Sequence, residues 1–275
     1  MIRHYFIIET MDGQVFNTRD YGIKIIDISV PSVEFLEETE TVPGRPGAVD
    51  LGAHATREPI SIEFDFLARD LTDYPLLRNV IFRLFCHREP FYWTESRELG
   101  KRYKVRSRGF TPRQILTKGR TTIQLACNDV YAESRLRSTD DWVIDSDKLQ
   151  FGMGLSGQYN PVWRYTSPFF TVYNPGDITV NPNYHDLLIT IRAASSGLII
   201  RNKTTGDEVK YNGTTTASDI FRLEPGCRVT KNSLSVLGQV TAGAYITLAP
   251  GPNEIELVNT TGAVDVTVDT RFYYF

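Results

Sequence analysis

The sequence predicts a mainly β protein with an α+β N-terminal domain, which contains one long helix, and a C-terminal β-sandwich. Tyrosine and phenylalanine are abundant, at 14 and 15, beside 20 glycines and 14 prolines. Aromatic strand formers mixed with turn formers favour β structure. Several segments alternate apolar and polar residues, whereas only one has helical spacing. The 275 residues, 41% of them hydrophobic, are enough for two cores, since domains usually hold roughly 150 residues.

The first half is predicted to form a sheet. The segments 23–30 and 60–66 alternate apolar with polar residues, which is typical of strands with one buried face. Between them, residues 42–47 read Val-Pro-Gly-Arg-Pro-Gly and contain too many helix and strand breakers for a regular element. Further strands are predicted at three places: Phe91–Trp93, Arg102–Arg108 and Thr121–Cys127.

One helix is predicted between these strands. Thr72 can cap its start, Pro75 is tolerated in its first turn, and Pro90 closes the segment. The apolar residues recur at intervals of three and four, which places them along one stripe. They are Leu76, Leu77, Val80, Ile81, Leu84 and Phe85.

The domain boundary is predicted near residue 141, which gives domains of residues 1–141 and 142–275. Between Asp140 and Ser167 the periodicity weakens into acids, glycines and prolines. Beyond it, turn signals such as Asn212-Gly213 and Pro250-Gly251 arrive every ten or so residues, which is typical of a β-sandwich. The last strand should lie inside a sheet, with one apolar face made of Val264, Val266, Val268, Phe272 and Tyr274.

Composition argues against several classes of function. A formal net charge of -3 gives no global electrostatic case for nucleic acid or an anionic membrane. The apolar segments are shorter than the roughly 20 residues of a membrane span, and the N-terminus lacks a signal-peptide pattern. Cys86, Cys127 and Cys227 are too dispersed for a disulfide framework and are interpreted as buried thiols. The four histidines lack metal-ligand spacing, so no metal and no cofactor are predicted.

No catalytic motif is complete, so the protein is predicted not to be an enzyme. Residues 152–157 match G-x-G-x-x-G, but no strand precedes and no helix follows. Adjacent Cys86 and His87 point about 100° apart on a helix, so we interpret them as a buried thiol and a surface imidazole. Glu63 and Asp65 lie roughly 7 Å apart on one strand face, a spacing that a glycosidase uses, although a solvated face explains them better.

Two charged segments suggest an interface between copies. Nine Lys or Arg residues lie in residues 97–120 against one acid, Glu98, and alternation places three of them on one face: Lys104, Arg106 and Arg108. An acidic segment upstream contains Glu34, Glu37, Glu38 and Glu40, and Arg45 follows in the loop. Each segment alone is ordinary solvated surface. Together they predict that the basic strand of one subunit faces the acidic segment of the next, because a ring needs two complementary surfaces.

The chain resembles the siphophage distal tail protein (Dit) family from end to end. In the first half the similar features are the loop at 42–47, the strand Pro59–Phe66 and the helix. In the second half they are five segments in family order: Phe169–Asp177, Leu187–Ile191, Asn202–Gly206, Leu248–Asn253 and Arg271–Phe275.

The resemblance implies a structural protein of the virion, located at the tail tip. It implies an N-terminal domain that closes a six-membered ring, with rings that can pair back to back, and a galectin-like C-terminal β-sandwich. Its implied partners are the major tail tube protein, the tail-associated lysin or fibre protein and, in some relatives, receptor-binding proteins.

Two other functions remain open at this point. A lectin-like module is the first, because β-sandwiches bind sugars through aromatic residues, and Trp142, Trp163 and Tyr165 flank the boundary. A glycoside hydrolase is the second, although it rests only on carboxylates and a β-rich fold.

Overall fold

The computed structural model describes residues 4–142, 148–155, 162–241 and 245–275. Two compact units are present: residues 1–132 together with Phe275, and residues 133–274. The mainly β fold class is confirmed, since strands dominate both units. The contacts divide the chain after Ala132, and the domain boundary at residues 141 and 142 stays a prediction.

The first unit contains one α-helix and a large antiparallel sheet. Its strands follow the order β2-β1-β7-β8-β10-β6-β3, with β9 added to β10, while β4 and β5 pair only with each other. The bounds are β1 Phe6–Thr10, β2 Val15–Asn17, β3 Lys24–Ser29, β4 Val33–Glu40, β5 Val49–Arg57, β6 Ile60–Leu67, α1 Tyr74–Phe85, β7 Phe91–Glu95, β8 Lys101–Ser107, β9 Arg113–Ile115 and β10 Lys118–Cys127, with a 3-10 turn at Thr18–Tyr21. The next strand, β11 Ala132–Ser134, begins at the last residue of this stretch and continues into the second unit.

The core of the first unit lies between α1 and the inner face of the sheet. The Phe64 ring stacks on Phe85 and the Phe66 ring on Tyr74, each with centroids 5.7 Å apart. These four aromatic side chains are buried, and burying one such ring contributes about 2–3 kcal/mol. The alternation predicted for residues 60–66 is confirmed, because Ile60, Ile62, Phe64 and Phe66 all face inward.

Gly119 is required by this core. It lies directly opposite Phe66 across β10 and β6. A Cβ atom at this position would lie 2.2 Å from Cζ of Phe66. The ring occupies the space that any larger side chain would need.

The helix differs from its prediction at both ends. Its N-cap is Asp73 rather than Thr72, and the Asp73 side chain makes no capping hydrogen bond to the helix. Asp70 instead closes the preceding turn, because its Oδ1 accepts the N–H groups of Thr72 and Asp73 at 2.8 and 2.7 Å. The helix ends at Phe85, before Pro90, and Leu76 of the predicted apolar stripe is exposed.

β3 is a strand, as predicted, but its apolar face is only half covered. The register shifts between Ile25 and Asp27, which makes Ile26 an extra, exposed residue. This β-bulge interrupts the alternation seen in the sequence. The buried isoleucine is Ile23, immediately before the strand.

The second unit is built on two long strands, β14 and β20. The sheet follows the order β12-β20-β14-β17-β18-β19, with β13 on β20 and β15 and β16 on β14. The bounds are β12 Arg164–Tyr165, β13 Phe169–Asn174, β14 Leu187–Asn202, β15 Glu208–Lys210, β16 Thr214–Thr215, β17 Phe221–Glu224, β18 Arg228–Lys231, β19 Leu234–Ser235, β20 Gly251–Thr270 and β21 Tyr273–Tyr274, with a 3-10 turn at Leu237–Gln239.

The last long strand lies inside the sheet, as predicted. β20 pairs with β14 along one edge and with β12 and β13 along the other. Val264, Val266 and Val268 are buried. The predicted continuous strand ends at Thr270, and Tyr273–Tyr274 form a separate short strand. The helix in the described part of the chain is too short and too polar to cross a bilayer.

Candidate interaction surfaces

The acidic segment forms the first strand of a hairpin. β4 and β5 pair from Val33 opposite Arg57 to Glu40 opposite Val49, and the loop at 42–47 joins them. The register shifts between Glu38 and Thr39, which leaves Leu51 as an extra residue. Within the described residues, no other strand hydrogen bonds to either outer edge of this hairpin.

Strand geometry divides the acidic segment between two faces. Alternate residues share a face, so Glu34, Glu38 and Glu40 lie on one face together with Leu36. Glu37 lies on the other face with Phe35. The interface residues predicted from the sequence therefore do not form a single patch. On the acidic face, Nδ1 of His54 lies 3.1 Å from Oε1 of Glu38, and both side chains are more than half exposed.

The hairpin also exposes apolar side chains. Phe35 is 56% exposed, and Leu36, Leu51 and Val42 are exposed as well. An isolated two-stranded hairpin is at best marginally stable in water, and bare strand edges invite pairing with other chains. Such a hairpin is typical of a surface that another polypeptide covers.

The two ends of the hairpin differ in environment: its tip is the loop at 42–47, and its root is the pair of Val33 and Arg57. Arg45 is exposed in the loop, where its N–H donates to the Val42 carbonyl at 3.1 Å. Arg57 at the root is 8% exposed, and its guanidinium carbon lies 5.2 Å from the centre of the Tyr103 ring. Nε and Nη1 of Arg57 have no hydrogen-bond partner in the described structure. Burial raises the pKa of the nearby Cys127 thiol, and the Arg57 charge opposes that rise.

At least four of the nine cations in the basic segment pair with carboxylates of their own fold. Arg97 pairs with Glu95, Arg102 with Glu9, and both Lys118 and Arg120 with Asp65. These carboxylates lie outside residues 97–120, so counting charges along the segment overstates its basic character. The Arg120 hydrogen bonds, followed by those of Lys118, hold the pKa of Asp65 below its usual range.

The three basic residues predicted for the interface each contact a polar group of their own chain. Lys104 Nζ lies 3.5 Å from Asp129. Arg106 donates to the Arg88 carbonyl at 2.5 Å, and Arg108 donates to the Gln124 side chain at 3.2 Å. Arg106 and Arg108 are exposed, whereas Lys104 is half-buried. Arg108 lies just beyond the end of β8.

A charged surface that the sequence did not suggest lies on the outer face of the main sheet. Lys24 is opposite Asp65, Asp65 is opposite Arg120, and Arg120 is opposite Arg113. Directly opposite residues share a face, so the four side chains form one row across β3, β6, β10 and β9. The strand pairing places Lys24 beside Asp65 and in one row with Arg113 and Arg120, and no local pattern in the sequence signals this.

Asp65 and His87, two of the side chains considered for catalysis, make contacts within the fold. Asp65 is buried beneath Arg120 and Lys118, which leaves it bound rather than available as an acid. Nε2 of His87 lies 3.1 Å from the Leu84 carbonyl oxygen. The interpretation of Cys86 as buried is wrong: it follows the last helical residue, outside the helix packing, and is exposed, while His87 is half-buried. The described residues contain no cluster of three metal-ligating side chains.

The glycine motif has a packing role in its described part. Ser156 and Gly157 lie outside the described residues. Gly154 adopts φ +71°, and a Cβ atom there would lie 2.0 Å from the Pro175 carbonyl oxygen. Its own carbonyl accepts a hydrogen bond from the Tyr173 hydroxyl at 3.1 Å.

The aromatic residues of the lectin hypothesis pack within the second unit. Trp163 is buried, with its ring 5.1 Å from Phe272, and Trp142 lies 5.9 Å from the same ring. The Tyr165 ring stacks on Phe170 at 4.2 Å. Rings used in this way support the core of the unit.

The fold is rich in β-strands, and its β4–β5 hairpin exposes apolar side chains. Residues 11–127 match the family model of the phage tail protein RIFT-related domain. The match covers somewhat less than half of the chain and lies within the first unit. The first unit is therefore similar to a phage tail domain.

One solved structure has a similar fold over both units. The crystal structure of the SPP1 Dit protein (gp 19.1), described as a paradigm of the hub adsorption apparatus in phages that infect Gram-positive bacteria, matches with a TM-score of 0.66 and 14% identity, over 97% of this chain and 99% of that chain. The phage p2 baseplate in its activated conformation with Sr matches with a TM-score of 0.46 and 11% identity, over 97% of each chain. The comparison with curated protein sequences gave no significant match.

At 14% identity the SPP1 Dit match shows a shared fold. Together with the tail-domain match, it confirms the resemblance to the siphophage distal tail family that the sequence indicated. The role consistent with both findings is structural, in a phage tail.

Proposed function

We propose that this protein is a distal tail protein that forms a six-membered hub ring at the tip of a siphophage tail. The observation that carries the proposal is the β4–β5 hairpin. It exposes apolar residues on both faces of a two-stranded sheet, and no strand among the described residues pairs with its outer edges. A strand pair of this kind gains stability when a second chain covers it.

A closed ring requires two different surfaces on each subunit. Head-to-tail contacts place one surface of a copy against another surface of the next copy, and the assembly closes when the rotation permits. The acidic face of the hairpin is one such surface. A basic surface on the neighbouring copy is its counterpart, and the residues that the sequence suggested for it are Lys104, Arg106 and Arg108. The number six comes from the resemblance to the Dit family.

The ring joins the tail tube to the parts below it. Its partners in this proposal are the major tail tube protein on one side and the tail-associated lysin or fibre protein on the other, with receptor-binding proteins at the periphery. The protein acts through these surfaces and catalyses no reaction. In support, Asp65 is held by ion pairs, and the described aromatic residues of the lectin hypothesis pack within their own unit.

Mass and shape test the proposal directly. We expect multi-angle light scattering of the purified protein, alone or with its tail tube protein, to show six times the chain mass of 31.2 kDa. Negative-stain images should show rings with a central hole. A chain that stays monomeric and does not bind the tail tube protein would overturn the proposal.

A matched variant tests the hairpin. Val33 and Arg57 are directly opposite, and β4 and β5 pair only with each other, so a two-residue turn can replace residues 34–56 without removing a strand of the main sheet. This variant should remain folded and monomeric. Rings formed without the hairpin would show that another surface holds the subunits together.

A further inference from the structure

A basic, apolar patch covers one end of the outer sheet face in the first unit. The row of Lys24, Asp65, Arg120 and Arg113 was described above. The next row toward the sheet end contains Leu67, Lys118 and Ile115, which are directly opposite one another across β6, β10 and β9. We call these two rows the sheet-end patch.

The sheet-end patch carries a positive excess. It contains four cations and one carboxylate, Asp65. Arg120 and Lys118 both bind Asp65, and Arg120 also lies 3.8 Å from Glu63 in the following row. Lys24 and Arg113 are exposed and form no ion pair with the described residues. The following row is acidic, with Glu63 opposite Asp27, so the positive charge of the patch ends at that row.

The same patch exposes large apolar side chains. Leu67 is 67% exposed, Ile115 is 49% exposed, and Leu116 at the tip of the β9–β10 turn is 76% exposed. Leu116 also adopts φ +55°, a conformation that non-glycine residues rarely take. Apolar side chains grouped on a surface and rimmed by charge are typical of protein contacts.

The acidic hairpin face matches this patch in charge and spacing. The β4 strand gives this face three carboxylates, Glu34, Glu38 and Glu40, and one apolar residue, Leu36. Same-face residues of a strand lie about 7 Å apart, so Glu38 and Glu40 are separated by the distance between two neighbouring rows of the patch. Opposite charges arranged in this way fix the register of a contact.

The two surfaces do not cover each other within one chain. In one chain the four glutamates of the hairpin are exposed, and so are Leu67, Ile115 and Leu116. Neither surface therefore covers the other within a chain. A second copy offers the matching surface, and a contact of this kind is head-to-tail, as a ring requires.

We infer that the sheet-end patch of one copy receives the acidic face of the β4–β5 hairpin of the next copy. This inference rests on the proposed ring and assigns its basic side to Lys24, Arg113 and the apolar residues Leu67 and Ile115. The β8 residues Lys104, Arg106 and Arg108 then lie outside the contact.

A charge swap tests the assignment. The hairpin variant carries Glu34→Lys, Glu38→Lys and Glu40→Lys, and the patch variant carries Lys24→Glu and Arg113→Glu. None of these residues is buried, so both variants should fold, which circular dichroism checks. Each variant alone should need at least about tenfold more protein than the wild type to assemble, because like charges then face each other.

Mixing the two variants should restore the assembly. The positive hairpin of one variant fits the negative patch of the other, while the remaining contact has its native charges, so rings of alternating copies form. Native mass spectrometry should show equal numbers of the two variants in each ring. The hairpin variant mixed with the wild type should not be rescued, because a positive hairpin still faces a positive patch.

A triple variant separates this assignment from the alternative on β8. Lys104→Glu, Arg106→Glu and Arg108→Glu together should leave ring formation unchanged. Rings formed by the patch variant alone would overturn the inference and leave the proposed ring standing. A wild-type chain that forms no ring, alone or with the tail tube protein, would overturn the proposed function itself.

Discussion

The β14–β20 pair and the β4–β5 hairpin are both long antiparallel pairs, yet they differ in what surrounds them. In the first, Ile189 lies opposite Val268 and Ile191 opposite Val266, and all four side chains are buried. In the second, Phe35 lies opposite Ala55 with its ring 56% exposed. Both pairs form antiparallel hydrogen-bond ladders, but apolar side chains are buried on the β14–β20 pair and exposed on the β4–β5 hairpin.

This difference separates the strands that stabilise the fold from those that remain available for assembly. Backbone hydrogen bonds contribute little net stability, because the unfolded chain forms similar bonds with water. Burial of apolar area supplies most of the free energy. The second unit therefore gains stability along β14 and β20, while the hairpin can gain it only from another chain.

The largest expected contrast is between two phenylalanines. Phe221→Ala should lower the free energy of unfolding by about 3–5 kcal/mol, since its ring is buried in the second unit. Phe35→Ala should change it by less than about 0.5 kcal/mol and weaken ring assembly instead. Urea titrations followed by tryptophan fluorescence measure the first effect, and light scattering measures the second. Equal losses of stability would remove the distinction.

The buried side-chain amide of Asn253 tests how much its hydrogen bonds stabilise the second unit. Asn253 accepts from the Ala249 N–H at 2.9 Å and from Asn202 Nδ2 at 3.1 Å, and it donates to the carbonyls of Ala249 and Gly251. Asn253→Ala should cost about 2–3 kcal/mol of unfolding free energy, because buried groups lose their partners. Asn183→Ala, on the surface, is the control. A small loss at Asn253 would show that the loop repacks.

Asp65 makes the stability of the first unit depend on pH. Its ion pairs hold its pKa below that of an unfolded aspartate, about 3.9. The stability that they contribute is therefore complete above that value and is lost as the pH falls through the lower, folded-state pKa.

Asp65→Asn should lower the unfolding free energy by roughly 1–3 kcal/mol at pH 7, and the difference should narrow below about pH 3. Urea titrations at both pH values, with Glu63→Gln as control, measure this. A loss independent of pH would mean that the charge of Asp65 contributes nothing.

The smallest effect is expected on the hairpin surface. The side chains of His54 and Glu38 are both exposed, and exposed pairs of this kind contribute little to the free energy of unfolding. His54→Ala should leave the thermal midpoint of unfolding within experimental error. A clear drop would show that the hairpin contributes to the folded monomer after all.

The strand at residues 60–66 and the helix were predictable because each follows from the spacing of apolar residues along a short segment. Alternation of apolar and polar residues over 60–66 indicates a strand with one buried face, and the apolar stripe over residues 76–85 indicates a helix. The helix cap was misplaced because Asp70 organises the turn that precedes the helix. The hairpin strands were not predicted, since exposure on both faces removes the alternation that signals a strand.

The candidate interface was predictable only in part. The acidic segment was recognised from its charges, but its division into two faces depends on strand geometry. The nine cations of residues 97–120 looked like one basic surface, whereas Glu9, Asp65, Glu95 and Asp129 neutralise several of them. Which cations stay unpaired depends on residues brought together from distant parts of the chain.

The sequence by itself determined the fold class, the single helix and the family resemblance, because periodicity and turn residues act over short distances. Only the tertiary structure decided which charges remain free, which apolar residues stay uncovered and which rows align on the sheet. The reason is that ion pairing and burial depend on spatial neighbours, and here strand register, rather than chain proximity, selects those neighbours.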